Sequence, residues 1–181
     1  GYKIIATGEM GIGNTTTSSA VASVLLGSSV EKVTGRGAGL SDEGLARKIS
    51  AIKRGIEINK PDETDAFDVL YKLGGFDIAG LCGVFLGGAI YGIPVVIDGF
   101  ISSVSALVTA RICPGARDYM IPSHVSAEPA CKAVLEELGL HPVIHAGMRL
   151  GEGTGAVAVL PLIDMALAVY HELMTFKDIG M

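Results

Sequence analysis

Along the chain, short apolar runs of strand length alternate with longer stretches whose apolar positions recur at helical spacing. Lys3–Thr7 predicts a strand, and "GEMGIGN" carries it into a helix from about Thr15 to Leu26. "KVTGRGAGL" reads as a short extended piece and a glycine turn. Ser41 then stands as an N-cap, with Asp42 and Glu43 in the first turn of a helix reaching about Ile58. Helices follow over Asp62–Leu73 and Ile78–Tyr91, then a strand at Val95–Asp98 and a small-residue helix at Ile101–Ile112. The pattern closes with a strand at Tyr119–Pro122, a helix at Ala127–Leu138, a strand at Val143–His145 and a long apolar helix at Gly155–Thr175. Pro161 sits near the first turns of that last helix or kinks it.

Short apolar strands separated by helices predict an α/β fold: a parallel-sheet, Rossmann-like three-layer core with helices on both faces, forming one domain over residues 1–181. Ligands of such sheets sit outside the carboxyl ends of the strands. The four loops there are "GEMGIGN", "DGF", "SHVSAE" and "AGMRLGEGTG", which hold the chain's glycine, carboxylate, hydroxyl and imidazole clusters. The candidate site therefore lies on that edge.

One segment tests this picture. Ile78 to Ile97 is uncharged and nominally long enough to span a bilayer. Gly92 and Pro94 interrupt it, and its flanks are Asp77 and Asp98 rather than basic anchors. It reads as a buried helix, a turn and a buried strand, so no membrane association is expected.

Composition narrows the classes further. With 181 residues, 49% of them hydrophobic, the chain can bury one proper core, which excludes disorder. Its 25 glycines follow no repeat period, which excludes collagen-like and linker readings. A net charge of −5 without a Lys/Arg stripe argues against nucleic-acid binding. Cys82, Cys113 and Cys131 form no CxxC pair and read as reduced core thiols of a cytoplasmic protein. "GYKIIATGEM" lacks the pattern of a secretory signal, and its immediate strand-like run leads us to expect residues upstream of Gly1.

Among the motifs, Gly11 and Gly13 would let backbone N–H groups approach an anion, with Asn14 or Thr15 capping the helix and donating to it. Glu9 stands beside them, contacting a sugar hydroxyl or orienting the loop. No lysine follows the last glycine, so the loop is not that of an NTPase. Gly35, Gly37 and Gly39 fit a dinucleotide fingerprint only loosely, while Arg36 and Lys48 are candidate phosphate partners. No metal or other cofactor is expected: His141 and His145 would lie about 13 Å apart on a strand. His124 and His171 read as structural or hydrogen-bonding residues, and no GxSxG elbow supports a hydrolase. Ser126 reads first as a helix start and second as a ligand contact. Glu152, inside "RLGEGTGA", has two readings. It is either a carboxylate desolvated by Met148, Leu150 and nearby apolar helices, hence a general base, or an exposed turn residue near a helix start.

Six motifs in register, "GEMGIGNTT", "GRGAGL", "GGFDIAGLCG", "PVVIDGFISS", "PSHVSAE" and "RLGEGTGA", make the chain resemble the nicotinate-nucleotide–dimethylbenzimidazole phosphoribosyltransferase family over essentially its whole length. The resemblance implies transfer of the 5-phosphoribosyl group of nicotinate mononucleotide to 5,6-dimethylbenzimidazole, giving α-ribazole 5'-phosphate and nicotinate for the lower ligand of cobalamin. It assigns the catalytic base to Glu152. It places phosphate contacts at Gly11, Gly13, Asn14 and Thr15, with Gly37 and Lys48 adding to them. Glu9 then sits near ribose and base, while Ser126, Arg149 and Leu150 line the nucleotide and benzimidazole cleft. Asp77 and Asp98 take local hydrogen bonding. The resemblance further implies a homodimer, and an upstream segment that supplies part of the base pocket and a smaller domain. The competing expectation is a truncated or degenerate nucleotide-binding module without turnover.

Overall fold

Val95, Val96 and Ile97 form the middle strand of a three-stranded parallel sheet, and all three are buried because both faces of the sheet are covered. The structure is a computed structural model that describes residues 1–176, Asp178 and Gly180. In chain order the elements are β1 (Ile5–Ala6), α1 (Asn14–Leu25), α2 (Val30–Val33), α3 (Asp42–Asn59), α4 (Ala66–Leu73), α5 (Phe76–Tyr91) and β2 (Val95–Ile97). Then come α6 (Phe100–Ile112), a 3-10 segment (Pro114–Tyr119), β3 (Met120–Pro122), α7 (Cys131–Glu137), α8 (Thr154–Ala158) and α9 (Leu160–Glu172). The strand order is β1-β2-β3, with Ile5 opposite Val95 and Val96 opposite Ile121.

Side chains alternate across a strand, and that alternation separates two apolar clusters. Val95 and Ile97 point with Ile5 and Met120 into the large cluster beneath α1 and α3 to α7. Val96 points with Ile4 and Ile121 into a smaller cluster against Ala156, Val159, Leu160 and Ile163. The three-layer α/β arrangement expected from the sequence is therefore present, and its layers are unequal. At the centre of the thick layer, α6 buries four hydroxyls, Ser102, Ser103, Ser105 and Thr109. Three of them donate one turn back, Ser103 to Gly99 O, Ser105 to Ile101 O and Thr109 to Ser105 O, which lets small polar residues replace bulk without unpaired groups.

Several boundaries move for local reasons. Ser41 caps α3 as predicted, its hydroxyl accepting from the Gly44 N–H. "KV" in "KVTGRGAGL" is helical rather than extended, closing the single turn of α2. α4 begins at Ala66 rather than Asp62, because Asp65 accepts from the Phe67 and Asp68 amides while Asp62 folds onto Thr64. α7 begins at Cys131 rather than Ala127, since Pro129 disfavours helix before it and has no N–H to donate. The fourth expected strand shrinks to one parallel bridge between His124 and Ile144. The long last helix divides at Val159: Pro161 lacks the N–H that would bond Val157, and opens α9 instead.

Ile78–Ile97 does divide into helix, turn and strand, with Gly92 left-handed between α5 and β2. Only one side of α5 is buried, through Ile78, Cys82 and Phe85; Phe76, Ile90 and Tyr91 are exposed. Thr154–Glu172 is by length and composition apolar enough to cross a bilayer, yet most of it is open, with Met165 and Tyr170 exposed along α9. Cys82 and Cys131 are buried, and burial pushes both thiols up in pKa. Cys113, expected in the core, is exposed where α6 gives way to the 3-10 segment.

Candidate active site

At the carboxyl ends of the strands the loops enclose a cavity of about 570 Å³. Of the residues singled out in the sequence, Glu9, Gly11 and Thr15 line it from the β1–α1 loop, and Gly37 from the next turn. Ser126 lines it from the β3–α7 loop, and Arg149, Leu150 and Glu152 from the loop before α8. Gly13, Asn14 and Lys48 are not among its lining residues.

Gly11 and Gly13 have positive φ, 74° and 85°, a conformation that L side chains rarely adopt, and Gly13 leads into α1 with no side chain capping it. Gly11 and Thr15, on either side of that uncapped helix start, line the cavity. Asn14 departs from its expected role. Its amide donates to Glu9 Oε2 and to Asp77 Oδ2 at 2.7 Å, so it fastens the loop instead of facing an anion, and its Oδ1 is buried without a partner. Glu9 Oε2 also accepts the Gly11 N–H at 2.6 Å. Lys48 is buried behind the cavity, donating to Thr15 Oγ1 and to Gly35 O, each at 2.9 Å. Thr15, accepting from that ammonium, keeps its own hydroxyl proton to donate. Burial pushes the Lys48 pKa down, and the Glu128 carboxylate opposes the shift. Arg36 turns outward instead, to Leu40 O and Asp42.

Glu152 lines the same cavity. Its φ is +55°, the left-handed region, which for a non-glycine residue costs about 1 kcal/mol. Hydrogen bonds on both sides hold it there. Its N–H donates to Glu9 O at 3.0 Å, and the next residue, Gly153, donates to Asp98 Oδ2 at 3.1 Å. Gly8 lies so close that a β-carbon on it would stand 2.5 Å from the Gly153 nitrogen. The Glu152 carboxylate has no hydrogen-bond partner among the described residues and is exposed at the cavity rim. The apolar enclosure expected around it is open: Leu150 is itself 64% exposed, and Met148 is engaged through its carbonyl by the Ala127 N–H.

The β3–α7 loop brings groups to the cavity that sequence reasoning did not assign to it. Ser126 is buried and accepts from the Glu128 N–H at 3.3 Å, so it makes a local turn well ahead of α7. His124 and Glu128 both line the cavity; their position in a loop at a strand's carboxyl end was the available signal. His124 is buried, and burial lowers its pKa against the influence of Asp98. Its Nδ1 lies 2.9 Å from Ser123 Oγ, which itself donates to Asp98 O at 3.1 Å. Glu128 Oε2 is buried without a partner, in space that only a glycine at position 35 leaves free. Among the described residues no three side chains gather as metal ligands.

Comparison with known proteins places these features in a lineage. A family model described as "Phosphoribosyltransferase" matches residues 1–181. Two relatives named nicotinate-nucleotide–dimethylbenzimidazole phosphoribosyltransferase, from Acetivibrio thermocellus and Ruminiclostridium cellulolyticum, are 53% and 54% identical over 178 residues. Those alignments cover 98% of this chain and 51% of each relative. The crystal structure of CobT from Thermus thermophilus superposes with a TM-score of 0.92 at 39% identity, over 100% of this chain and 54% of that one. The chain thus spans about half the length of the curated relatives it matches.

Proposed function

The chain belongs to the nicotinate-nucleotide–dimethylbenzimidazole phosphoribosyltransferase family, and from that premise we propose that it transfers the 5-phosphoribosyl group of nicotinate mononucleotide to 5,6-dimethylbenzimidazole. The observation that carries this reading is a cavity at the strand ends lined both by Gly11 and Thr15, beside the start of α1 that no side chain caps, and by Glu152, whose carboxylate has no partner among the described residues. The 5'-phosphate takes the first-turn N–H groups beside Gly11 and Gly13, with the Thr15 hydroxyl and, behind it, the Lys48 charge. Asn14 supports that loop through Glu9. Gly37 lets the Thr15–Lys48 pair approach, and Ser126, Arg149 and Leu150 flank the sugar and the flat base.

The chemistry needs little more. The pyridinium nitrogen of the mononucleotide is a good leaving group. One benzimidazole nitrogen attacks the anomeric carbon as the C–N bond to nicotinate breaks, and the electron pair of that bond leaves with nicotinate. The other ring nitrogen, now acidic, gives its proton to Glu152, so the base product leaves neutral. Proximity and one positioned base supply the acceleration. The same reading makes residues 1–181 one catalytic-core unit acting on small molecules in the cytoplasm, within a homodimer.

The test is nicotinate release from purified protein supplied with both substrates. Glu152→Gln should cut turnover roughly 100-fold or more. Normal turnover in that variant would remove Glu152 from the reaction, and mononucleotide binding without turnover, unchanged when the upstream segment is supplied, would leave a binding module.

A further inference from the structure

Asp98 directly follows the last residue of β2 and is almost fully buried. A buried carboxylate needs hydrogen bonds to stay charged, and the donors to this one come from a single place. Its Oδ2 accepts the Gly153 N–H at 3.1 Å, and its Oδ1 accepts the Gly155 and Ala156 N–H groups at 2.8 and 3.1 Å. These amides follow closely on Glu152, the one non-glycine in this loop with positive φ. On the upstream side, Glu152 is fastened by its own N–H to Glu9 O.

We propose that Asp98 is the positioning residue of the site: it holds the backbone of the 151–156 loop so that Glu152 stays left-handed, with its carboxylate turned into the cavity. This rests on the reading of Glu152 as the base. The argument is geometric. Relaxing Glu152 to an ordinary φ would swing the next peptide, and the Gly153 N–H is bonded to Asp98. The carboxylate also spans two helical amides, Gly155 and Ala156, so rotating the loop would strip it of several donors together. Gly155 completes the device. A β-carbon there would overlap the His124 ring and stand 3.0 Å from Asp98 Oδ1, so only glycine lets the carboxylate and the loop meet. Asp98 touches no reacting atom in this scheme and acts through Glu152.

A double-mutant cycle separates this role from plain support of the fold. Asp98→Asn keeps the shape but replaces one acceptor oxygen by a donor that faces a backbone N–H. It should lower kcat roughly 100-fold, the scale of a misplaced catalytic group, while KM for the mononucleotide changes less than about threefold. In a Glu152→Gln background the same substitution should cost at most about twofold more, because the residue it positions is already disabled. Equal losses in both backgrounds would overturn the proposal, as would wild-type kcat in Asp98→Asn. A second readout needs no turnover. The Gly153, Gly155 and Ala156 amide protons, bonded to a carboxylate, should resonate downfield and move upfield in Asp98→Asn; unmoved signals overturn the proposal. Should that variant fail to fold, Asp98→Ser, smaller and still able to accept one of these bonds, carries the same cycle, with the same outcomes deciding. A parent protein that stays inactive with the upstream segment supplied would sink the proposed function, while the amide shifts would still report whether Asp98 holds the loop.

Discussion

Two glycine-rich loops, 8–14 and 151–154, stand side by side at the strand ends, each containing one glutamate, and they use the same ingredients in opposite ways. In the first, the carboxylate is tied down: Glu9 accepts from the Gly11 amide and from Asn14, while the start of α1 stays uncapped by any side chain. In the second, the amides are tied down, by Asp98 and by Glu9 O, and the glutamate side chain is left free. A loop that ties down its acid and leads into an uncapped helix start presents positive potential; one that engages its amides and frees its acid presents a carboxylate. Glycine content alone therefore does not say which charge a loop will receive. What decides is where the neighbouring acceptors lie.

The contrast can be attacked at the point where the loops touch, and this should give the largest effect. In Gly8→Ala the new β-carbon meets the backbone of Glu152 and Gly153 within 2.9 Å, where no flexible side chain can yield. We expect a stability loss of about 1–3 kcal/mol in denaturant titration, together with loss of turnover. Wild-type behaviour would mean that the two loops are not held against each other.

Removing charge from the anion loop should have a middle-sized effect. Lys48→Met should weaken mononucleotide binding about tenfold in calorimetry, consistent with one charged hydrogen-bonding partner lost behind Thr15. The parent protein adds a pH signature. Since burial depresses the folded-state Lys48 pKa, the unfolded chain holds that proton more tightly. The residue's contribution to stability should rise as pH climbs from the depressed value toward the ordinary lysine value. Mononucleotide affinity should fall over the same window, as the ammonium is lost. These opposite slopes should be absent in Lys48→Met.

The smallest effect should come from Asp77→Ala. Asp77 is the exposed second acceptor of Asn14, and Glu9 keeps the first. KM should change less than about twofold, as expected for a solvent-exposed hydrogen bond. A larger change would mean that Asn14 is oriented by Asp77 and that the first loop depends on its outer rim.

Much of this is readable in the chain itself. The Ser41 cap, the strand at Val95, the αL glycines at 11 and 13 and the gathering of loops at one sheet edge follow from neighbours a few residues apart, where periodicity and turn chemistry act. What escapes is made by residues distant in sequence. Asn14 points to Asp77 rather than outward, and Asp98 reaches amides more than fifty positions away. His124 enters the cavity because β3 ends there. Apolar neighbours in the sequence suggest walls around Glu152, but its wall depends on what packs over Leu150, which short-range pattern does not register. Pro129 and Pro161 shift two helix starts by rules that are visible, yet weaker than the apolar periodicity around them.

The loop carrying Glu152 is secured through backbone amides, a carboxylate from beneath the sheet edge and glycines, while Met10, Ile12 and Leu150 line the cavity and are exposed. For protein engineering this decouples two tasks. Libraries at these three positions can reshape the lining of the cavity while the hydrogen bonds that hold the 151–156 loop stay untouched, so variants need not be selected against a background of misfolded clones.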